Sequence, residues 1–298
     1  MKHISVLLNE SIDGLDIKSG DLVVDGTLGG GGHTLEILKR FGNKIKMICF
    51  DLDEDAIVRS KKLIGDQSKN IIFKNVGFQE LGVVLEELKI PKVDKILLDL
   101  GISSFQLEEA GRGFSFQKDE PLLMTMKKSP SENDITAYDI VNTWEEESLA
   151  DIIYGFGEER FARKIARAIV EEREVSSIKT TFDLVRIIDR AVGKYYRGKK
   201  IHPATRTFQA LRIATNSELS NLERVIQEGF KCLNKGGRMA IITFHSLEDR
   251  IVKKAFVELR NNGLAEVINK KPILPSENEI KSNPRSRSAK LRLLEKIN

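Results

Sequence analysis

The chain has 298 residues, a formal net charge of +4, 41% hydrophobic residues and 31% charged residues. This length can bury one large core or two ordinary ones, and the composition excludes disordered and fibrous proteins. No apolar run approaches the roughly 18 residues that cross a bilayer, and the start, MKHISVLLNES, lacks a signal peptide's apolar stretch. Two distant cysteines, Cys49 and Cys232, exclude a disulfide scaffold and a zinc finger. We therefore expect a soluble globular protein of the cytoplasm.

The first hundred residues alternate between short apolar runs and helical patterns. Strands are predicted over 22–27, 46–53, 71–76 and 93–101, and helices over 34–40, 54–64 and 81–88. The apolar residues of these strands are nearly continuous, which is typical of strands buried on both faces of a parallel sheet. Repeated strand–helix units predict an α/β doubly wound domain with right-handed crossovers.

A long insertion follows the fourth strand. The next strand is predicted at 238–244, about 135 residues later, whereas a βαβ unit needs roughly 30. One helix over about 204–233 is predicted to serve as the crossover. This divides the chain into a discontinuous domain, 1–106 with 204–298, and an inserted domain, 107–203.

The insertion is predicted to be helical. Three pairs in or near it have capping-box spacing: Ser131–Asp134, Thr143–Glu146 and Thr180–Asp183. After the fifth strand, Ser246 is predicted to cap a helix that reaches about Leu259. Two last strands are predicted within 265–273 and 289–297.

A glycine-rich loop follows the first strand, in Asp25-Gly-Thr-Leu-Gly-Gly-Gly-Gly-His33. Glycines between a buried strand and a helix let the backbone approach a ligand closely, and this crevice is where cofactors bind in doubly wound folds. A merely flexible turn is the alternative. The dinucleotide fingerprint fails because its last glycine is replaced by Thr34, and no G-K-[ST] follows to make a P-loop.

Two carboxylates are predicted at the ends of neighbouring strands. Asp51 ends the second strand, where an acidic residue can hold ribose hydroxyls, and Asp99 ends the fourth. A single strand-end aspartate usually caps a turn, but two beside a glycine run favour a binding site. S-adenosylmethionine fits this set, because it has a ribose, an adenine and a carboxylate that helix-start amides can receive.

Motifs along nearly the whole chain resemble one family, the ribosomal RNA small subunit methyltransferase H family, also called MraW. They occur in the family's order: DGTLGGGGH, ILLDLGISS, RGFSF, GEERFARKIARAIV, HPATRTFQALRI, FHSLEDRIVK and NPRSRSAKLR. The resemblance implies a class I, Rossmann-like methyltransferase with an inserted helical domain that recognises the substrate. It further implies that S-adenosylmethionine is the cofactor, and that the substrate is N4 of a cytosine in the decoding region of 16S ribosomal RNA.

The resemblance also implies a set of cofactor-binding residues. These are Gly31, Gly32 and His33 in the loop, Asp51 on the ribose, Phe78 after the third strand, and Asp99 and Gln106 after the fourth. For Phe78, ordinary core packing is the alternative to stacking on the adenine. The chain departs from the family after RGFSF: Pro121-Leu-Leu-Met-Thr-Met-Lys127 stands where the family reads P-L-D-M-R-M-D, and Phe105 replaces a common proline. We expect this segment to face the substrate.

Methylation of an exocyclic amine requires a group that orients the nitrogen and accepts its proton. Asp99, Ser103 and Ser104 are the candidate catalytic residues, in the loop where amine methyltransferases often carry Asp/Asn-Pro-Pro-Tyr. His245, at the end of the fifth strand, is either a further candidate or part of a helix cap. No metal is expected, because the four histidines (3, 33, 202 and 245) lack ligand spacing. His202 is expected to set a loop.

Positive charge is concentrated in two segments. Residues 160–200 contain twelve Lys or Arg against five Asp or Glu, and residues 281–298 contain six against one. Such segments suit RNA, although a solvated basic face is the ordinary alternative. Three alternatives to the cytosine-N4 methyltransferase remain open. They are a divergent paralogue acting on another RNA or amine, a ribosome-assembly protein that binds the cofactor without transferring methyl, and, more remotely, a NAD-dependent enzyme.

Overall fold

The computed structural model describes residues 4–298 and divides into two compact units. The first, called the sheet unit below, comprises the described residues up to Gly101 together with Leu219–Asn298. The second, called the helical unit, is the continuous segment Ile102–Glu218. Among the described residues, no helix has both the length and the apolar character needed to span a bilayer.

The sheet unit is built on seven strands. In chain order they are β1 Leu22–Asp25, β2 Lys46–Phe50, β3 Ile71–Lys74, β4 Val93–Asp99, β5 Leu233–Thr243, β6 Ala265–Val267 and β7 Lys290–Lys296. Their order in the sheet is β3-β2-β1-β4-β5-β7-β6. The first five are parallel, and β7 runs antiparallel to both β5 and β6. This confirms the predicted α/β, Rossmann-like fold class.

Thirteen α-helices accompany the strands in the described residues. Those before the helical unit are α1 Leu8–Leu15, α2 Gly32–Phe41, α3 Glu54–Ile64 and α4 Leu81–Glu87. Those starting in the helical unit are α5 Ser104–Glu108, α6 Ala137–Thr143, α7 Glu146–Gly155, α8 Ala162–Arg173, α9 Thr181–Val192, α10 Thr205–Asn216 and α11 Glu218–Cys232. The last two are α12 Ser246–Asn261 and α13 Glu277–Ser282.

Helices cover both faces of the sheet because successive strand residues point to opposite sides. On β4, Leu97 packs with α1, α2 and α3, whereas its neighbours Ile96 and Leu98 pack with α4, α11 and α12. All three are fully buried. Burial on both faces explains the continuous apolar runs. Each buried side chain of this kind stabilises the folded state by about 1.5–3 kcal/mol.

The predicted crossover helix over 204–233 is wrong as a single element. Ser217 adopts φ 50°, which ends α10, and α11 begins at the next residue. Helix α10 packs its buried residues, such as Phe208 and Leu211, into the core of the helical unit, whereas Leu222 and Ile226 of α11 belong to the sheet unit. The compact helical unit, 102–218, is therefore longer at both ends than the expected inserted domain, 107–203.

Among the predicted capping boxes, Thr180–Asp183 is confirmed at the start of α9. Thr143–Glu146 is wrong: Thr143 ends α6, and the N-cap of α7 is Glu145, whose side chain caps nothing. Ser131 and Asp134 are hydrogen-bonded to each other, but in a turn and not a helix. A box that the sequence analysis missed, Thr136 with Asp139, starts α6. Spacing alone does not find caps, because the backbone must also turn helical after the first residue.

Candidate active site

The carboxyl ends of the parallel strands meet at one edge of the sheet, and the glycine loop connects β1 to α2 there. The Gly31 N–H donates to the Leu28 carbonyl at 2.7 Å, which folds the loop into a tight turn. Gly31 has φ +74°, and a Cβ at this position would lie 2.8 Å from Ser60 Oγ. Position 31 therefore requires glycine. The loop leaves the backbone at the start of α2 without side chains over it, and the start of a helix is where anionic groups bind.

Asp51 follows β2 and is tied to the same loop. Its Oδ2 accepts a hydrogen bond from the Gly29 N–H at 2.7 Å, and its Oδ1 accepts one from the Asp53 N–H at 2.8 Å. Burial raises the pKa of the Asp51 carboxyl to about 6, although these two hydrogen bonds oppose the shift. Each carboxylate oxygen retains lone pairs beyond those used by the backbone, so Asp51 can still accept from ligand hydroxyls.

Asp99 ends β4 and is held by its backbone, since its N–H donates to Thr27 Oγ1 at 2.6 Å. Its Oδ2 lies 3.6 Å from His33 Nδ1, while its Oδ1 is buried with no hydrogen-bond partner among the described residues. Burial, reinforced by the charges of Asp25 and Glu248, raises the pKa of Asp99 well above its usual value. A buried carboxyl oxygen without a partner is costly, and a bound ligand that donates a hydrogen bond would satisfy it.

His33 and Phe78 lie at this same edge. His33 is buried in the first turn of α2, and its Nε2 lies 3.2 Å from the Val6 carbonyl, so that nitrogen carries a proton. Phe78 starts a short turn after β3 and is half-buried. If Gly26 had a Cβ, that atom would lie 3.1 Å from the Cβ of Phe78. The Phe78 side chain therefore starts close to the backbone that follows β1.

His245 caps a helix, and the predicted cap at Ser246 is wrong by one residue. His245 Nδ1 accepts from the Glu248 N–H at 3.4 Å, while Glu248 Oε2 accepts from the backbone N–H groups of Phe244 and His245 at 2.8 and 3.3 Å. Ser246 is the first residue of α12. The Ser-x-x-Asp spacing misled the sequence analysis because a histidine rarely serves as a cap.

Sequence reasoning also missed four polar residues of this edge: Asp25, Thr27, Asn75 and Glu248. Asp25 accepts from Thr34 Oγ1 at 2.6 Å, and Asn75 Nδ2 donates to the Asp51 carbonyl at 2.9 Å. Each lies at a strand end or within the first turn beyond one. Their position after a strand was the signal that could have identified them. Their hydrogen-bond partners could not be identified in this way, because those partners come from other parts of the chain.

Three predicted site residues lie at the start of the helical unit, where they form a cap. Ser103 Oγ accepts from the Gln106 N–H at 3.2 Å, and Gln106 Oε1 accepts from the Ser103 N–H at 3.0 Å. Ser104 is the first residue of α5. Gln106 is buried and Ser103 is half-buried. Local structure therefore explains the Ser103–Gln106 spacing without reference to a ligand.

The segment that departs from the family, 121–127, is anchored within the helical unit. Leu122, Met124 and Thr125 are buried, so these three residues do not face a substrate as expected. The Arg112 guanidinium donates to the Met126 carbonyl at 2.8 Å. Lys127 forms an ion pair with Asp134 at 2.6 Å. The Arg112 contact gives the RGFSF motif a structural purpose.

The two basic segments differ in structure. Helix α8 buries Ile165 and Ile169 and exposes Arg163, Lys164 and Arg167. The charges near the C-terminus are partly internal. Lys290 and Arg292 both pair with Asp249, at 3.0 and 2.7 Å, and Lys296 donates to the Leu233 carbonyl at 2.9 Å. These three cations are engaged in the fold, so the expectation of an RNA-binding patch there is wrong for them.

His202 stacks on Phe116 with ring centroids 4.8 Å apart, and its Nδ1 accepts from the Ala204 N–H at 3.2 Å. It therefore shapes a loop of the helical unit, as expected. His3 lies outside the described residues.

Comparison with known proteins gives one consistent result. The profile of the MraW methylase family matches residues 1–297. The ribosomal RNA small subunit methyltransferase H of Clostridium botulinum (strain Kyoto / Type A2) is 49% identical over 99% of both chains, and that of Clostridioides difficile (strain 630) is 45% identical over 99% of both. Among solved structures, an rRNA methylase from Streptococcus thermophilus aligns over 100% of both chains, with 13% identity and a TM-score of 0.47. The structural likeness is too distant to support a function.

Proposed function

The chain belongs to the MraW methylase family, and from this premise we propose that it uses S-adenosylmethionine to methylate N4 of a cytidine in the decoding region of 16S ribosomal RNA. Its relatives are named for methylation of small-subunit ribosomal RNA. One observation carries the proposal: a bare glycine loop lies between two strand-end carboxylates, and one carboxyl oxygen of Asp99 is buried with no partner within residues 4–298. The proposal includes a cytoplasmic location, which the proposed ribosomal substrate supports.

The residues at this edge fit the methyl donor. Asp51 would accept from the ribose hydroxyls, because its oxygens keep lone pairs free beside the Gly29 and Asp53 amides. The backbone N–H groups at the start of α2, from Gly32 onward, would receive the donor's carboxylate, and Gly31 forms the turn that presents them. In the proposal Phe78 packs on the adenine, and His33 and Asp99 complete the set. Gln106, which the family resemblance also implies, is already used in the α5 cap.

Bound S-adenosylmethionine supplies an activated methyl group on a sulfonium, so the protein's task is to position the amine and manage its proton. The lone pair of an exocyclic amine is delocalised into the cytosine ring, which makes the nitrogen a poor nucleophile. Asp99 Oδ1 would accept a hydrogen bond from that amine. Because the pKa of Asp99 is raised, its ionised carboxylate is a stronger proton acceptor, which increases the efficiency of general-base catalysis.

Ser103, Ser104 and His245 are secondary candidates. Ser103 Oγ accepts a hydrogen bond in the α5 cap and its hydroxyl proton remains available to donate. His245 Nδ1 is an acceptor in the α12 cap, and its Nε2, the nitrogen that would meet the nucleobase, lies 3.2 Å from Glu248 Oε1. Alanine at Ser103 and Ser104 that leaves methyl transfer unchanged would remove both from the mechanism.

Mass spectrometry of small-subunit RNA tests the proposal. A strain that lacks the gene should lose N4-methylcytidine in the decoding region, and the wild-type gene should restore it. An Asp99→Asn gene should not, since loss of a general base costs on the order of 10²–10⁴-fold in rate. Loss of a different mark would identify a divergent paralogue, and loss of no mark would identify a binding protein without transferase activity. Either outcome would refute the proposed reaction.

A further inference from the structure

A basic groove lies between helices α8 and α9 of the helical unit and is not explained by the methyl-donor site. Its volume is about 360 Å³. Four cationic side chains line it, with one carboxylate: Arg163, Lys164, Arg167, Arg190 and Glu171. We call it the α8–α9 groove. A cavity of this size is in the usual range for a small ligand or a segment of a larger one.

The groove is open because of residue size on the two helices. Ala168 on α8 and Ala191 on α9 form part of its lining, and neither has a side chain long enough to fill it. On the other side of α8, Ile165 and Ile169 are fully buried against the core of the helical unit. The core therefore fixes the two helices, and the small residues leave space between their exposed faces.

The cations of the groove form few ion pairs with carboxylates, and those pairs are exposed. Arg190 pairs with Glu172 at 2.6 Å and Arg167 with Glu146 at 3.6 Å, both on the surface. Such exposed pairs contribute little and exchange readily for another anion. Arg163 and Lys164 have no carboxylate partner among residues 4–298.

Aromatic residues orient the cations at one end of the groove. Lys164 Nζ donates to the Tyr195 hydroxyl at 2.9 Å and lies 4.8 Å from the centre of that ring, while Lys194 lies 5.2 Å from it. Phe161 stacks on Tyr195 at 4.4 Å and carries Arg160 above its own ring. Cations held in this way lose less freedom when an anion binds, which favours affinity.

The start of α8 is itself fixed by a buried carboxylate from the GEERF motif. Glu159 is fully buried; it accepts from the Phe161 N–H at 2.8 Å and from the Tyr196 hydroxyl. This arrangement supports the aromatic pair and explains why the motif combines a glutamate with an arginine and a phenylalanine.

We propose that the α8–α9 groove binds the phosphodiester backbone of a single-stranded segment of the RNA substrate. The inference rests on the proposed RNA substrate and names the surface that holds it. Arg163 and Arg167 are one helical turn apart, about 6 Å along the axis, which allows each to meet one of two successive phosphates. Guanidinium groups also bind phosphate oxygens through two parallel hydrogen bonds.

The test is the salt dependence of RNA binding by the full-length protein. Fluorescence anisotropy with labelled poly(U) should show that Arg163→Gln/Arg167→Gln lowers the slope of log affinity against log salt by about 1.4, or 0.7 for each lost phosphate contact. This corresponds to about tenfold weaker binding at 0.15 M salt. The matched control is Lys253→Gln/Lys254→Gln on α12, which removes two exposed charges outside the groove and should bind like the wild type. Unchanged thermal unfolding midpoints would show that both variants are folded.

The groove variant binding RNA with the affinity and slope of the control would overturn the inference, even if the wild type methylates small ribosomal subunits. Poly-glutamate that displaces the RNA at equal charge would also overturn it, because the groove would then suit an acidic polypeptide. If the wild type transfers no methyl group but the groove variant still loses RNA affinity, the proposed function fails and the groove assignment stands.

Discussion

Protonation of Asp51 offers a direct test of the methyl-donor site. The pKa of this carboxyl is about 6 in the ligand-free protein, so about nine tenths of it is ionised at pH 7 and about one tenth at pH 5. Both oxygens face backbone N–H groups, at Gly29 and Asp53, and an added proton would compete with them. If only the ionised form accepts from the ribose hydroxyls, S-adenosylmethionine should bind about tenfold more weakly at pH 5 than at pH 7.

The stability of the ligand-free protein should respond to Asp51 in the opposite direction. Its folded pKa lies above the unfolded value of 3.8, so between these values the native state holds a proton that the unfolded chain releases. The contribution of this group to stability therefore increases as the pH falls through about 6 toward 4. Protonation of Asp51 therefore weakens binding of the donor at pH 5 but does not destabilise the fold. A weaker affinity at pH 5 in a protein that remains folded cannot be attributed to acid unfolding.

Isothermal titration calorimetry with S-adenosylmethionine at pH 5, 6 and 7 measures the effect. Asp51→Asn should bind weakly and lose most of the pH dependence, whereas the control Asp66→Asn, at a fully exposed carboxyl, should keep the tenfold change. A wild-type affinity that is the same at pH 5 and pH 7 would refute the reasoning. The same tenfold change in Asp51→Asn would transfer the effect to Asp99, whose pKa is also raised by burial.

Three further predictions concern stability. Gly31→Ala should lower the free energy of unfolding by about 1–2 kcal/mol from its positive φ alone and by more from the contact with Ser60. Gly263→Ala, at the left-handed end of α12 with φ +68° and open space, should show only the first cost in urea melts. His245→Ala should cost about 1 kcal/mol in the same assay, and His245→Asn should restore the cap; methyl transfer that returns with asparagine would assign His245 a structural role. Ile165→Ala should cost about 2–5 kcal/mol, and a value below 1 kcal/mol would contradict its burial in the helical unit.

Local patterns predicted much of the sheet unit. The helix over 54–64 was predicted with the bounds that α3 has. In the structure Asp53, which was predicted to end the strand, caps its start, and Gly65 follows its end with φ +63°. The strand β4 was predicted from apolar residues that face both sides of the sheet. These signals reside in neighbouring residues, so they can be read without knowledge of the fold.

Elements that depend on one backbone angle were harder to predict. Residues 204–233 have helical periodicity throughout, yet Ser217 in the left-handed region divides them into α10 and α11. The cap of α12 was assigned to Ser246 instead of His245 for a similar reason. In each case the amino-acid types permit two arrangements, and packing against different cores selects one.

The sequence by itself determined the fold class, the glycine loop and the strand-end positions of Asp51 and Asp99, because these follow from periodicity and residue type. Only the tertiary structure decided the state of those groups. Asp99 has one oxygen near His33 and one with no partner in the described part of the chain, and its raised pKa reflects burial and the charges of Asp25 and Glu248. The structure likewise showed that Lys290 and Arg292 pair with Asp249 while Arg163 and Lys164 line an open groove. The ion pairs, burial and pKa of a charged side chain depend on residues that are distant along the chain. Only the tertiary structure therefore decides whether such a side chain stabilises the fold or remains available to a ligand.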